Sequence, residues 1–252
     1  MSHPKLLLLG LVAVLQSSGP ALAQFPGSSP NGLNAAVLKL FGEFTSFTSK
    51  ADVRVQEKGS REPMTMTVDM SMLDGKVRMD LDISTLKSKQ IPAETLAGFK
   101  AAGLARVVTV IRPERKSALL IYPTVRAYVD LPMSKEEAAD MGRTYKLTKT
   151  KVGRETIDGQ SCDKMRVVVT ADNGDKHEAV VWYAAALKNF PVKMEIEQQQ
   201  MTVVMQYREV KLIRPEAGQF EEPAGFAKHA SVEQLMQSAM MKMLGGAKQQ
   251  QP

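Results

Sequence analysis

The spacing of apolar residues changes from helical to strand-like near residue 47. Apolar side chains first recur at helical spacing, at Leu33, Ala36, Val37, Leu40, Phe41 and Phe44. This pattern predicts an amphipathic helix over residues 32–44. From Phe47 to Val55 apolar and polar residues alternate instead, which predicts a half-buried strand.

The next two strands are predicted to form a hairpin with one methionine-rich face. Apolar residues alternate with polar ones through Met64–Met72 and again through Val77–Ile83, and Asp74-Gly75 lies between the two runs. Asp-Gly flanked by alternating segments is a strong hairpin signal. Because successive side chains of a strand point to opposite faces, the methionines of this hairpin are expected to share one side.

Further alternating segments extend the predicted sheet to residue 213. We predict strands at 106–111, 118–122, 126–131, 151–157, 163–170, 177–183, 192–198 and 201–213. A helical insertion is predicted over Pro92–Ala102, and Ser134 followed by Glu137 is a capping-box pattern that predicts a short helix. Short strands separated by turn signals are typical of a barrel or a curved sheet rather than a parallel α/β fold.

The C-terminal region carries the pattern of one more amphipathic helix. Ser231 and Gln234 form another capping-box pattern, and an apolar stripe follows at Val232, Leu235, Met236, Ala239, Met240, Met243 and Leu244. Gly245-Gly246 predicts the end of this helix. The glutamine-rich tail after it is expected to be disordered.

The first 23 residues have the features of a cleavable signal peptide. Lys5 supplies the positive region, residues 6–15 are apolar, and Ala21-Leu22-Ala23 is a small-x-small cleavage signature. The apolar run is shorter than the ~20 residues of a membrane span. Gln24, rather than a lipid-accepting cysteine, follows the predicted cut after Ala23, so we expect an exported protein without a lipid anchor.

Charge and cysteine content narrow the class of protein. The formal net charge is +6, but Lys and Arg are interspersed with acidic residues rather than clustered with aromatics, which does not predict a nucleic-acid partner. A single cysteine, Cys162, excludes an intramolecular disulfide. We interpret it as a small buried side chain at the start of a strand.

No arrangement of residues typical of catalysis is found in the sequence. It has no His-x-x-x-His or Cys-x-x-Cys zinc spacing, no Gly-x-Ser-x-Gly elbow and no phosphate-binding glycine loop. The adjacent carboxylates Glu136-Glu137 and Glu221-Glu222 are interpreted as solvated surface. The sequence therefore predicts a protein that is not an enzyme and that holds neither a cofactor nor a metal.

The chain has 16 methionines, which allow three interpretations. They pack under the covering helices as ordinary core, or they line a site for apolar ligands of varied shape, a use that suits the flexible thioether side chain. The third interpretation is Cu(I) binding, since thioether sulfur is a soft ligand. Metal is the weakest of the three, because Val68 interrupts the strand methionines and no histidine is near them.

Several segments resemble a known superfamily. Residues 33–44 leading through Thr45-Ser46-Phe47-Thr48-Ser49 into 51–55 resemble the start of the outer-membrane lipoprotein carriers LolA and LolB and of the related regulator RseB. Three later segments resemble an uncharacterised periplasmic subgroup with this fold: Ile111-Arg112-Pro113-Glu114-Arg115-Lys116, residues 153–162, and Phe220-Glu221-Glu222-Pro223-Ala224-Gly225-Phe226. The resemblance covers residues 30–228.

The resemblance implies an α+β fold in which a strongly curved antiparallel sheet forms an incomplete β-barrel with covering α-helices. The expected organisation is a signal peptide (1–23), a flexible N-terminus (24–31), a LolA-like half-barrel (32–228), a Met-rich amphipathic helix (229–244) and a disordered tail (245–252). The protein is expected to be periplasmic.

The expected function is non-catalytic binding or carriage of a lipid or lipidated polypeptide in the concavity of the half-barrel. The candidate ligand-lining residues are Met64, Met66, Met70, Met72, Met79, Leu81, Val110, Leu119 and Ile121. The alternative is a sensor or interaction module of the RseB type with a membrane-protein partner. A copper-binding protein is the third possibility.

Overall fold

The structure, a computed structural model, describes residues 35–60, 62–89, 91–198 and 201–248. Its strands are β1 Ser46–Glu57, β2 Met64–Leu73, β3 Lys76–Asp82, β4 Arg106–Arg112, β5 Ser117–Tyr122, β6 Ala127–Pro132, β7 Tyr145–Ile157, β8 Gln160–Ala171, β9 Lys176–Ala184, β10 Phe190–Gln198, β11 Met201–Lys211 and β12 Ala227–His229. Its α-helices are α1 Ala35–Lys39, α2 Ala93–Ala101, α3 Lys135–Gly142 and α4 Val232–Lys248.

All these strands form one sheet built from two meanders. The sheet order is β12-β6-β5-β4-β3-β2-β1-β11-β10-β9-β8-β7. Strands β1 to β6 pair consecutively, as do β7 to β11, and the antiparallel pair β1–β11 joins the two halves. The three-residue β12 adds to β6 in parallel. Because β12 and β7 are not paired with each other, the sheet is an incomplete barrel, and the predicted fold class is confirmed.

Cross-strand register places an apolar surface on one side of the sheet, which we call the inner face. One row crosses six strands, from β8 to β2, through Met165, Val181, Met194, Met205, Val53 and Met66. Asp74 and Gly75, both with positive φ (49° and 86°), form the tight turn between β2 and β3. A one-residue slip at this turn would move every methionine of β2 to the opposite side.

The opposite side, the outer face, is polar over much of the sheet but carries a buried apolar cluster under one segment. Leu73, Val108, Val110, Leu119, Ile121 and Tyr128 form a separate buried cluster there with Phe220. The inner face carries the two other clusters, one against α1 and one against α4. Both faces of β4–β6 are therefore covered.

The predicted strands and the helices α2 and α3 are confirmed, although β7 begins at Tyr145 rather than at residue 151. Ser134 and Glu137 form the predicted capping box. Two helix boundaries were wrong. The first helix ends at Lys39 rather than residue 44, and a turn with Gly42 at positive φ follows it. The last helix continues through Gly245 and Gly246 to Lys248, so these glycines do not end it; glycine weakens a helix interior by about 1 kcal/mol without forbidding it.

The parallel strand β12 had no signal in the sequence, because three residues show no periodicity. The predicted signal peptide and flexible N-terminus, and the final residues 249–252, lie outside the described residues. No helix within the described part of the chain combines the length and apolar character that crossing a bilayer requires.

Candidate ligand-binding face

The structure brings six of the nine predicted lining residues together on the inner face. Met66 and Met70 are each 4% exposed, and Met72 and Met79 are 7% and 8% exposed. Met64 and Leu81 are half-buried against the same cluster. Met70 lies directly opposite Met79 in the β2–β3 ladder. The methionines of the hairpin therefore form one continuous apolar surface.

The other three predicted lining residues, Val110, Leu119 and Ile121, lie on the outer face under Phe220. The register shows which face each residue takes, because paired residues share a face. Met79 pairs with Thr109, whereas Val110 pairs with the outward Arg78. The structure does not bring these three residues to the methionines. In this part of the sheet the inner face is instead built by Val107, Ile111 and Leu120.

One polar atom is buried in the inner face without a partner. Ser49 is 6% exposed and shares the inward alternation of β1 with Phe47 and Ala51. Its Oγ makes no hydrogen bond within the described part of the chain, and it lies opposite Met70 in the β1–β2 ladder. A buried polar group without a partner costs about 1–3 kcal/mol. Sequence reasoning missed this position, because a serine in an alternating strand resembles a surface residue.

An aromatic cluster closes the end of the inner face nearest α1. Phe190, which is fully buried, has its ring centroid 4.9–5.9 Å from four other rings, those of Phe41, Phe44, Phe47 and Tyr207. Edge-to-face pairs at such distances each contribute about 0.5–1.5 kcal/mol beyond area burial. This end of the face is therefore firmly packed.

The cover over the middle of the inner face is weaker. None of the residues of α2 is buried, and its apolar contacts come from the partly buried Leu96 and Phe99, one on each inner cluster. Gly98 lies between them, and a Cβ built there meets no atom within 4 Å. Glycine inside a helix lowers its stability by about 1 kcal/mol relative to alanine, so α2 is a weakly held cover.

The far end of the inner face is covered by a segment that passes around the sheet edge, which we call the clasp (residues 217–239). It starts on the outer face, where Phe220 is fully buried. It then pairs with the edge as β12 and reaches the inner face as α4, whose Leu235 and Ala239 are buried against Tyr122 and Val129. The clasp therefore packs against both faces of β5 and β6.

Two carboxylates attach the clasp to the outer face. The Tyr128 hydroxyl donates to Glu222 Oε2 at 2.6 Å, a bond that holds the pKa of Glu222 below its ordinary value and raises that of Tyr128 to about 12. The ammonium of Lys76 donates to Glu221 Oε1 at 2.7 Å and likewise lowers the pKa of Glu221. Both carboxylates are therefore more acidic in the folded chain than in the unfolded one.

Other residue types singled out in the sequence have structural places. Cys162 is fully buried, and burial raises the pKa of its thiol, so the interpretation as a buried small side chain is confirmed. No group of three or more His, Cys, Asp and Glu side chains that could hold a metal ion occurs among the described residues.

The solved structures that are similar to this chain share little of its sequence. No protein-family model and no curated protein sequence matches the chain. A solved LolA superfamily protein from Nitrosomonas europaea is 12% identical, with a TM-score of 0.34 over 77% of this chain and 97% of the other.

Two further solved structures are similar to this chain. Lipoprotein LppX from Mycobacterium tuberculosis is 14% identical, with a TM-score of 0.37 over 69% of this chain and 91% of that one. MucB, solved in complex with MucA(peri), is 15% identical, with a TM-score of 0.35 over 77% of this chain and 61% of MucB. At such identities and scores no functional residue is transferred, and the function must be argued from the side chains of this chain.

Acid is expected to weaken the clasp. Because the folded pKa values of Glu221 and Glu222 lie below the ordinary 4.5, their contribution to stability is complete above that pH and is lost as the pH falls through the lowered values. In urea unfolding, Glu222→Gln should lower the midpoint at neutral pH, and its difference from the wild type should disappear in acid, at a pH below the lowered pKa of Glu222. Glu178→Gln, at an exposed position, is the control. An equal deficit of Glu222→Gln at both pH values would contradict the assignment.

Proposed function

We propose that the protein binds a ligand with an acyl chain, a lipid or a lipidated polypeptide, on the inner face of its sheet and carries it through the periplasm without catalysing a reaction. The observation that supports this is a continuous methionine-rich apolar face whose central cover, α2, has no buried residue. The exported location rests on the signal-peptide pattern of residues 1–23.

Methionine suits a surface that must accept chains of different length. Its side chain has three rotatable bonds and a polarizable sulfur, so it fills irregular gaps without a fixed shape. Met66, Met70 and Met79 lie on neighbouring strands of the inner face. Burial of each methylene of an acyl chain against them contributes about 0.8 kcal/mol.

Binding requires that the apolar face be uncovered, since its methionines are buried. Displacing α2 would cost the contacts of its two partly buried apolar side chains, Leu96 and Phe99. A chain of several methylenes offsets that cost. The ligand would therefore select or stabilise an open conformation, and a partner that favours the closed conformation would release it.

The alternative function, a periplasmic sensor of the RseB type, uses the same face and adds a protein partner. It is favoured by Met241 and Met243 of α4, which are 71% and 43% exposed beyond the part of the helix that packs on the sheet. A membrane-protein partner captured at these positions by crosslinking would favour the sensor over the carrier. Copper binding by the methionines remains the third hypothesis.

The proposed function is tested by native mass spectrometry on protein purified gently from a periplasm. We expect lipid or lipopeptide in defined stoichiometry, because α2, the proposed cover of the middle of the inner face, has no buried residue. A clean mass that does not change when phospholipid or lipopeptide is added would contradict the proposal.

A matched pair of variants locates the site. Met79→Ala and Ile121→Ala each truncate a buried apolar side chain and should destabilise the fold by about 2–5 kcal/mol. They lie on opposite faces of the sheet, so Met79→Ala alone should change the affinity for a fluorescent fatty acid, by about threefold to tenfold. Equal effects of the two variants would place the ligand elsewhere.

Ser49 predicts a preference for ligands with a carbonyl group near the chain. Ser49→Ala should raise the free energy of unfolding of the empty protein by about 1 kcal/mol, because it removes a buried unpaired hydroxyl. It should weaken binding of an acyl ester about fivefold, the equivalent of one net hydrogen bond. Binding of an alkane of the same length should not change, and a parallel loss for the alkane would contradict this role.

A substitution at Gly98 tests whether the ligand enters by displacing α2. Gly98→Ala should stabilise α2 by about 1 kcal/mol and slow the association of a fluorescent fatty acid by up to about fivefold, since the closed conformation gains that energy. Gly142→Ala, in α3 and also free of contacts around its Cβ position, is the matched control. Unchanged association in Gly98→Ala would show that the ligand enters by another route.

A further inference from the structure

A second concave surface lies on the outer face, on the side of the sheet away from the methionines. It is a groove of about 900 Å³ that crosses β2, β1, β11 and β10. We call it the polar groove, and its charged lining side chains are Asp52, Arg54, Lys87, Lys193 and Glu195. The rest of its lining is four threonines, two glutamines, Val204, and Val53 and Met66, whose side chains belong to the inner face.

The strand register accounts for the composition of this groove. The row Thr67–Asp52–Gln206–Lys193 crosses the four strands, and Arg54, Val204 and Glu195 form the next row across β1, β11 and β10. These positions alternate with the inward methionines and valines. A twisted sheet is saddle-shaped, so it is concave on both sides along different diagonals. The polar groove is the outward concavity of the same strands whose inner face is apolar.

The charges of the groove are unevenly paired. Asp52 accepts from Thr67 at 2.9 Å and from Arg208 at 2.6 Å, which satisfies its carboxylate. Within the described parts of the chain, the side chains of Arg54 and Lys87 form no ion pair or hydrogen bond. The ammonium of Lys193 lies 4.3 Å from the centroid of the Trp182 ring. Glu195 is therefore the one lining carboxylate left to face three cations.

The positions of the cations define the spacing of the groups they can bind. Arg54 and Lys193 are separated by β11, which corresponds to about 10 Å across the sheet and about 7 Å along it. Their backbone positions are thus roughly 12 Å apart. In an extended peptide, carboxylates three to four residues apart span about 10–14 Å.

We propose that the polar groove binds an extended acidic peptide segment of a partner protein, with carboxylates three to four residues apart on Arg54, Lys87 and Lys193. The glutamine and threonine side chains of the groove offer both donors and acceptors for a peptide backbone. No aromatic side chain is among the residues that line the groove, which disfavours a saccharide stacked on a ring. The site is separate from the inner face, so it is independent of the acyl-ligand proposal.

The test uses a fluorescent peptide of about twelve residues with glutamate at every third or fourth position and glycine and serine between. Fluorescence anisotropy should show binding that weakens as salt is raised. Arg54→Gln, Lys87→Gln and Lys193→Gln together should weaken it about tenfold, as expected for three exposed ion pairs. The same peptide with glutamine in place of glutamate should not bind.

A matched control separates the groove from net charge. Lys135→Gln, Lys146→Gln and Lys176→Gln together remove the same charge from exposed positions outside the groove lining and should leave the affinity unchanged. Glu195→Gln should tighten binding severalfold, because it removes the carboxylate that repels the peptide, and this gain cannot arise from misfolding. Equal losses in the two triple variants, no gain in Glu195→Gln, or preferential binding of an anionic polysaccharide would each overturn the proposal.

Discussion

Strand register is the constraint on which the rest of this structure depends. Because side chains alternate along a strand, the same register that gathers Met66, Met70 and Met79 on the inner face places Asp52 and Arg54 on the outer face. The tight Asp74-Gly75 turn fixes the hairpin that carries the methionines. One geometric choice therefore produces both an apolar surface and a polar groove, back to back on the same strands, and neither surface can shift without the other.

The segments that cover the inner face differ in how deeply their side chains are buried, and the proposed mechanism depends on this difference. The aromatic cluster around Phe190 and the clasp anchored by Phe220 hold the two ends through fully buried rings. Between them, α2 contributes only partly buried side chains and contains a glycine. Low-stability segments are the ones that open in response to a ligand. In the proposed mechanism, the sheet holds the shape of the binding surface while the middle cover opens.

Alternation of apolar and polar residues was enough to predict the strands of β1–β3 and their methionine face, because one side of these strands is polar. The same reasoning failed for Val110, Leu119 and Ile121. The runs Val107–Ile111 and Ala118–Tyr122 are apolar on both faces, so period two carries no information there about which side faces the methionines. The second cover that makes these runs apolar, Phe220, lies about a hundred residues later in the chain, beyond the reach of local patterns. The unpaired hydroxyl of Ser49 could not be predicted from the sequence either, since tertiary contacts decide whether a hydroxyl finds a hydrogen-bond partner.

The single pairing between β1 and β11 has a consequence for the order in which the chain can fold. Each meander is built from neighbouring segments and can form early, but the two halves join only when residues 201–211 reach residues 46–57, and the ion pair Arg208–Asp52 spans 156 positions. Contacts this distant in sequence make folding slow. Until β11 pairs with β1, the first meander has an unpaired strand edge. Such an edge can pair with another chain.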